Sequence, residues 1–249
     1  MNCPRVSIIV ATWNSKNTIQ STIDSLLSQS YSNLEVIFVD GASTDGTLEI
    51  IRNCGLKNCK IICEPDRGIG DAWNKGVSVS TGDVIGFLNS DDFYQKNMIE
   101  NIVPFFSHEN SPLIGFGNVI VLDEDLGKQH LVKGAKRSKF FLLNGFGFLH
   151  PSVFFNRRAY EIVGPFDYSI SIAVDTDWLL RAIKYKVPFR RIPSLVYMRK
   201  GGVSDTKSFT AMGEYGDALR KAGYSEFLLF TYLLFRCLGQ FLRVVGLRK

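Results

Sequence analysis

Apolar runs early in the chain each end in polar or acidic side chains. Residues 5–11, 34–40, 60–63 and 83–88 are short, largely β-branched or aromatic, and bounded by turn formers, as expected of buried strands in a parallel sheet. They lead into Thr12-Trp13-Asn14, Asp40-Gly41, Glu64-Pro65-Asp66 and Asn89-Ser90-Asp91-Asp92. Between them, apolar residues recur at helical spacing: Ile19, Ile23, Leu26 and Leu27 within 15–29, Leu48 to Ile51, and Ala72, Trp73 and Val77 within 70–79. Ser15 or Asn17 is the expected N-cap of the first helix, and Ser43 or Thr44 that of the second. Strand alternating with helix predicts a doubly wound α/β sheet whose Asp40, Asp66 and Asp91 meet at one edge. At the last of these ends two roles compete. Asp91 or Asp92 can cap a following helix, or the pair can hold a divalent cation.

After Asp92 the pattern loosens. It predicts a helix over 97–106, a strand over 113–122 with glycine irregularities, and an antiparallel return over 128–133. A strand over 148–155 is interrupted by Pro151, which implies an edge position or a bulge. A short helix over 157–163 stops at Gly164-Pro165, and another begins at Val174 with Asp175 and Asp177 in its first turn. Residues 189–192 and 195–198 read as extended, followed by a basic, glycine-bearing loop over 199–204 that could close over a phosphate. Lys128, Lys133, Lys136, Arg137 and Lys139 read first as a solvated hairpin or loop, with a phosphate-binding patch as the alternative.

The end of the chain differs from the rest. Over 225–246, Tyr232, Arg236, Gln240 and Arg243 form one polar stripe on an otherwise apolar helix. The longest charge-free run, 227–235, is too short to span a bilayer. An interfacial helix fits, with Arg248 and Lys249 adding attraction to anionic lipid; burial against the domain or a dimer partner explains the same periodicity.

Composition changes this picture little. The chain has 249 residues, 45% hydrophobic and 21% charged, which is ordinary for a globular protein and against disorder. Its net charge of +5 allows an anionic partner without identifying it. The five cysteines show no C-x-x-C spacing and read as reduced thiols. With a strand expected from residue 5, no signal-peptide pattern precedes it, and the expectation is a cytoplasmic protein. Gly68-x-Gly70-x-x-Trp73 lacks the third glycine of a dinucleotide fingerprint, and no P-loop occurs.

The segments Val6-Ser-Ile-Ile-Val-Ala-Thr-Trp-Asn14, Val39-Asp-Gly-Ala-Ser-Thr-Asp-Gly46, Glu64-Pro-Asp-Arg-Gly-Ile-Gly-Asp-Ala-Trp-Asn-Lys-Gly76, Phe87-Leu-Asn-Ser-Asp-Asp92 and Val174-Asp-Thr-Asp-Trp-Leu-Leu-Arg181 resemble, in order, the family 2 glycosyltransferases of bacterial cell-surface polysaccharide biosynthesis. The resemblance implies an α/β GT-A fold: a doubly wound, mostly parallel sheet, a small antiparallel acceptor-side region and a C-terminal amphipathic helix. It implies a domain over 1–205, with a nucleotide-sugar half (1–95) and an acceptor half (96–205), and a helical extension over 206–249. In function it implies an inverting transfer of one sugar from a nucleotide-sugar, UDP-linked by analogy, to a hydroxyl of a lipid-linked or growing glycan. By the same resemblance Asp40 accepts a hydrogen bond from the base, and Thr12, Asn14, Asp66, Asn74, Asn89 and Arg199 join it around the nucleotide-sugar. Asp91, helped by Asp92, holds Mn2+ or Mg2+, although Asn89 replaces the first acid of the family's D-x-D motif. Asp175 is the general base, although Val174 replaces the first acid of the family's acid pair. His150 and Asp177 lie on the acceptor side. The implied setting is peripheral, on the inner face of the cytoplasmic membrane, with residues 225–249 touching it and no nucleic-acid partner; a homodimer is left open. The alternatives are an inactive nucleotide-sugar-binding scaffold, supported by Asn89 and Val174, and a sugar nucleotidyltransferase, which would want a glycine-rich basic loop where Thr12-Trp13-Asn14-Ser15 stands.

Overall fold

The computed structural model describes residues 3–107, 111–135, 146–202, 207–227, 229–231 and 234. The early apolar runs form strands β1 (Val6–Thr12), β2 (Leu34–Asp40), β3 (Cys59–Cys63) and β4 (Val84–Asn89), all parallel and ordered β3-β2-β1-β4. Helices α1 (Ile19–Leu27), α2 (Thr47–Arg52) and α3 (Ile69–Val79) connect them. Strand alternation divides the side chains between two cores. Ile8, Val10, Phe38 and Leu88 pack with Ile19, Ile23 and Leu26 of α1, while Ile9, Ile37, Val39 and Phe87 pack with Ala72, Trp73 and Val77 of α3. Both faces are covered, which is why these strands read as nearly unbroken apolar runs.

The rest of the chain is β5 (Phe93–Tyr94), α4 (Met98–Ile102), β6 (Ile114–Asp123), β7 (Lys128–Val132), β8 (Phe154–Asn156), α5 (Arg157–Val163), α6 (Val174–Lys184), β9 (Phe189–Arg199) and α7 (Ser208–Lys221). The sheet continues from β4 as β8-β6-β9-β5, with β7 paired to β6. Pairings to β8, β7 and β5 are antiparallel and β6 to β9 is parallel, so the mostly parallel sheet with an antiparallel region is observed.

Several local expectations change. The strand expected over 148–155 is only Phe154–Asn156, and it lies inside the sheet between β4 and β6, not at an edge. Pro151 falls in a 3-10 turn, His150–Ser152, ahead of the strand, where its missing N–H costs no ladder bond. The two extended pieces around Pro193 are one strand, and the ladder to β6 shifts register there between Phe116 and Asn118. Helix α1 starts at Ile19 without a side-chain cap, because Ser15 is held elsewhere: its amide donates to Thr47 Oγ1 (2.8 Å) and its hydroxyl meets Ser90 Oγ (2.6 Å). Asp45, not Ser43 or Thr44, bonds the first turn of α2, accepting from Thr47 N (3.0 Å) and Thr47 Oγ1 (2.6 Å).

Helix α7 lies beyond the expected boundary at 205, yet Ala218 and Leu219, together with Leu229, are buried in the α3-side core. Phe227, Phe230 and Leu234 are exposed. The rest of the expected amphipathic helix, including Tyr232, Arg236, Gln240 and Arg243, lies outside the described residues, as do Lys136, Arg137 and Lys139. Among the described residues no helix is long and apolar enough to cross a membrane. Cys3, Cys54, Cys59 and Cys63 are free thiols.

Helix α3 presses unusually close to the sheet at Gly76, where a Cβ would stand 2.4 Å from Ile9 Cγ2. Gly76→Ala should therefore lower stability by about 1–3 kcal/mol through overpacking against β1. Chemical denaturation checks this, and an unchanged midpoint would show that α3 can withdraw from β1 without cost.

Candidate active site

Strand register brings the polar ends together: Thr12 lies opposite Asp40, Ala11 opposite Asn89, and Asp40 opposite Cys63. Asp40 is fully buried and accepts from Thr12 Oγ1 (2.9 Å), Ser43 N (2.8 Å) and Ser43 Oγ (2.6 Å), with Cys63 Sγ at 3.6 Å. Much of its acceptor capacity thus goes into holding the 41–44 loop. Burial, and then the Asp40 charge, push the Cys63 thiol up. Asn14 serves the same loop from a left-handed backbone (φ 48°), donating its amide to Ser43 Oγ (2.8 Å) and accepting from Thr44 N (3.0 Å).

Between Thr12 and Asn14, Trp13 is 69% exposed. A Cβ on Gly41 would lie 3.4 Å from Trp13 Cδ1 and 2.7 Å from Asp66 Oδ2, so Gly41 keeps the indole and this carboxylate within reach of each other. Asp66 Oδ1 accepts from Gly68 N (2.8 Å), and no donor among the described residues occupies Oδ2. An exposed indole beside an open carboxylate oxygen suits a flat heterocycle with a ring N–H. Trp13 was not singled out from the sequence, although a bulky aromatic inside the polar end of a strand is the signal that marks it.

At the end of β4, the neighbouring acids face opposite ways. Asp92 is 1% exposed and accepts from Asn89 Nδ2 (3.0 Å) and Arg199 N (3.1 Å), while its carbonyl accepts from Thr22 Oγ1 (2.8 Å). Burial, then the Asp91 charge, push its carboxyl up to about 8 despite these bonds. Asp92 thus ties the end of β4 to β9 and α1. Asn89 spends its side-chain amide on Asp92. Arg199 is engaged by several protein partners. Its Nη1 donates to the Asp91 carbonyl (2.6 Å) and Ser21 Oγ (3.0 Å), its Nε to Glu124 (2.8 Å), and its guanidinium lies 5.2 Å from the Phe93 ring centre. Of the glycine-bearing loop beyond it, residues 203–206 lie outside the described residues.

Asp91 remains the accessible acid of the turn. No side chain among the described residues donates to it; burial raises its carboxyl and the Arg199 charge opposes that. The described residues hold no cluster of three or more His, Cys, Asp or Glu able to chelate a metal. One carboxylate fits Mg2+ or Mn2+ where substrate phosphates and water complete the shell, which is the ordinary mode for such ions.

On the opposite wall, α6 presents Asp175 in its first turn. Its Oδ1 accepts from Thr176 N (2.7 Å), and Oδ2 has no donor among the described residues. Val174 sits beneath, with Cγ1 3.1 Å from a Cβ placed on Gly70. The His150 ring stacks on Trp73 with centroids 4.5 Å apart, and both His150 Nε2 and Trp73 Nε1 are buried without a partner among the described residues. Burial holds the imidazole pKa down, against the Asp175 charge. Asp177 is 6% exposed and bonded to Arg181 Nε (2.9 Å), and Arg181 reaches on to the carbonyls of Val163 (2.7 Å) and Pro165 (2.8 Å). This pairing ties Asp177 to the segment around Val163 and Pro165. Asn74 is bonded within the protein: Nδ2 donates to Phe166 O (2.8 Å), and Oδ1 accepts from Phe166 N (2.9 Å) and Tyr160 OH (3.0 Å).

The sequence model of the family described as Glycosyl transferase family 2 matches residues 7–163. The chain is 29% identical over 215 residues to a PGL/p-HBAD biosynthesis glycosyltransferase of Mycobacterium bovis, spanning 83% of this chain and 81% of that protein. Over 107 residues, 42% of each protein, it is 40% identical to the UDP-Glc:alpha-D-GlcNAc-diphosphoundecaprenol beta-1,3-glucosyltransferase WfaP of Escherichia coli. Among solved structures, S. aureus TarS 1–349 in complex with UDP-GlcNAc matches with a TM-score of 0.63 at 21% identity, over 92% of this chain and 71% of that one. The mannosyltransferase PcManGT from Pyrobaculum calidifontis, in complex with GDP-Man and Mn2+, matches with a TM-score of 0.66 at 20% identity, over 92% and 68%. These two likenesses are of fold.

Proposed function

The chain belongs to glycosyl transferase family 2 and carries the GT-A fold, and on that premise we propose that it is an inverting enzyme moving one sugar from a UDP-sugar to a hydroxyl of a lipid-linked glycan. One observation carries the reading. Asp40 and Asp92 have both carboxylate oxygens bonded by protein donors, whereas Asp66, Asp91 and Asp175 each keep an oxygen with no donor among the described residues; Asp177 also keeps one, but it is buried and paired with Arg181. Those three acids suit three tasks.

Asp66 Oδ2 accepts the ring N–H of a base lying against Trp13. Asp91, with diphosphate oxygens, would hold Mn2+ or Mg2+, whose chemistry there is to neutralise the charge of the leaving diphosphate. Asp175 takes the proton of the acceptor hydroxyl as its oxygen bonds to the anomeric carbon. The bond from that carbon to the diphosphate breaks, and its electron pair leaves with the nucleoside diphosphate. A single displacement from an α-linked donor yields a β-linkage. Support for the donor and acceptor classes comes from names: WfaP is a β-1,3-glucosyltransferase using UDP-Glc and a diphosphoundecaprenol-linked GlcNAc, and TarS is solved with UDP-GlcNAc. Mn2+ accompanies GDP-Man in PcManGT.

A panel of UDP-, GDP- and dTDP-sugars identifies the donor. With it, Asp175→Asn should bind nucleotide-sugar as the wild type does and lose turnover by roughly 10²-fold or more; wild-type turnover would remove Asp175 from the mechanism. Asp91→Ala should abolish the stimulation of nucleotide-sugar binding by Mn2+. Equal affinity of the wild type with Mn2+ and with chelator would refute the metal role. The exposed Phe227, Phe230 and Leu234 support a peripheral attachment of the C-terminal stretch to the inner membrane face. Truncation after Leu234, which keeps the buried Leu229, should weaken sedimentation with anionic vesicles, and undiminished sedimentation would count against the tail as anchor.

A further inference from the structure

We propose that Glu214, in the middle of α7, is the positioning residue for Asp175; this rests on the reading of Asp175 as the general base. Helix α6 starts after Ala173, which offers no side-chain cap. The residues leading into it present backbone N–H groups that the helix cannot satisfy, and buried or half-buried donors of this kind need a partner. Glu214 supplies it. Its Oε1 accepts from Ser171 N (3.0 Å) and Ser171 Oγ (2.5 Å), and its Oε2 accepts from Ile172 N (2.7 Å) and Ala173 N (2.9 Å). Successive amides from a segment 41 to 43 residues away thus converge on one carboxylate.

Charge and position agree with this role. Burial pushes the Glu214 carboxyl up, but the bonds from Ser171, Ala173 and Ile172 outweigh it and hold the group below the usual carboxylate range. The anion also sits at the positive end of the α6 dipole. Asp175 lies two residues beyond Ala173, and one of its oxygens is already committed to Thr176 N, so its aim follows the backbone of 173–176. Other ties to the α5–α6 connection stop short of this point. Asn74 holds Phe166, Trp178 Nε1 holds Gly164 O (2.8 Å), and Lys221 faces Asp167 (3.6 Å). Among the described residues no other side chain hydrogen-bonds to 171–173. Without Glu214 the entry to α6 loses its anchor, and Asp175 loses its fixed distance from the donor. Helix α7 accordingly belongs to the catalytic unit.

The test compares Glu214→Ala, Glu214→Gln and Asp175→Asn in the full chain, using the nucleotide-sugar that the wild type turns over fastest in the panel. Glu214→Ala should lower kcat by roughly 10–100-fold, the scale of a small misplacement of a reacting group, with donor KM nearly unchanged. Glu214→Gln, which sets an amide NH2 against the backbone donors, should not restore it. Excess formate should recover part of the Glu214→Ala activity by refilling the amide nest, and should leave wild type and Asp175→Asn unchanged. Hydrogen exchange supplies a readout free of substrate: amides of 171–176 should exchange faster in Glu214→Ala and slow again with formate. Wild-type kcat in Glu214→Ala, an equal loss in donor affinity, or unchanged exchange at 171–176 would each overturn the proposal. So would faster exchange throughout α6 and α7 that formate does not reverse. An active Asp175→Asn removes the base assignment instead, and the exchange experiment still decides whether Glu214 holds the entry to α6.

Discussion

A carboxyl group shut inside the protein sets the geometry of the cleft. Asp92 brings together Asn89 at the end of β4, the backbone of Arg199 at the end of β9, and Thr22 in α1. Taking such a group out of water is unfavourable unless its oxygens are bonded, so each of these partners is held to one place. The adjacent Asp91 is the less buried of the two. Arg199, whose amide serves Asp92, uses its guanidinium on the Asp91 carbonyl, on Ser21 and on Glu124, so the turn is fastened from both α1 and β6–β7. A flexible loop end would not keep the Asp91 carboxylate in a constant place.

The opposite wall follows the same logic by different means. The α5–α6 connection is tied by Asn74 and Arg67 from α3 and its approach, by Trp178 and Arg181 from α6, and by Glu214 and Lys221 from α7. Acids that look equivalent in sequence are thereby sorted into those that build the site and those that face it. A reacting carboxylate gains from this arrangement because its orientation is settled before substrate arrives, and little reorganisation remains for the chemical step.

The sheet edge was legible because strand-forming runs and their polar ends are local features. From that pattern the ends of β1, β2, β3 and β4 fall at one edge, with Thr12 beside Asp40 and Ala11 beside Asn89. What the pattern could not carry were decisions made by distant residues. Asp91 and Asp92 have identical chemistry, and only Arg199 and Thr22 tell them apart. Asn74 sits in a motif, while its hydrogen-bond partner Phe166 lies 92 residues away. Pro151 suggested an edge strand because proline lacks a donor, but that deficit falls in the turn before β8. Glu214 gave no local signal, since one acid in a mixed helix is unexceptional until the amides it meets are known.

The chain's three tryptophans are unequally placed: Trp73 and Trp178 are 3% and 2% exposed, and Trp13 stands open at the mouth of the cleft. Two of the chromophores therefore sense an interior that substrate barely alters. The third is solvated, and its excited state responds to whatever displaces that water. The protein carries an intrinsic optical label beside the end of β1, against a background of two buried indoles.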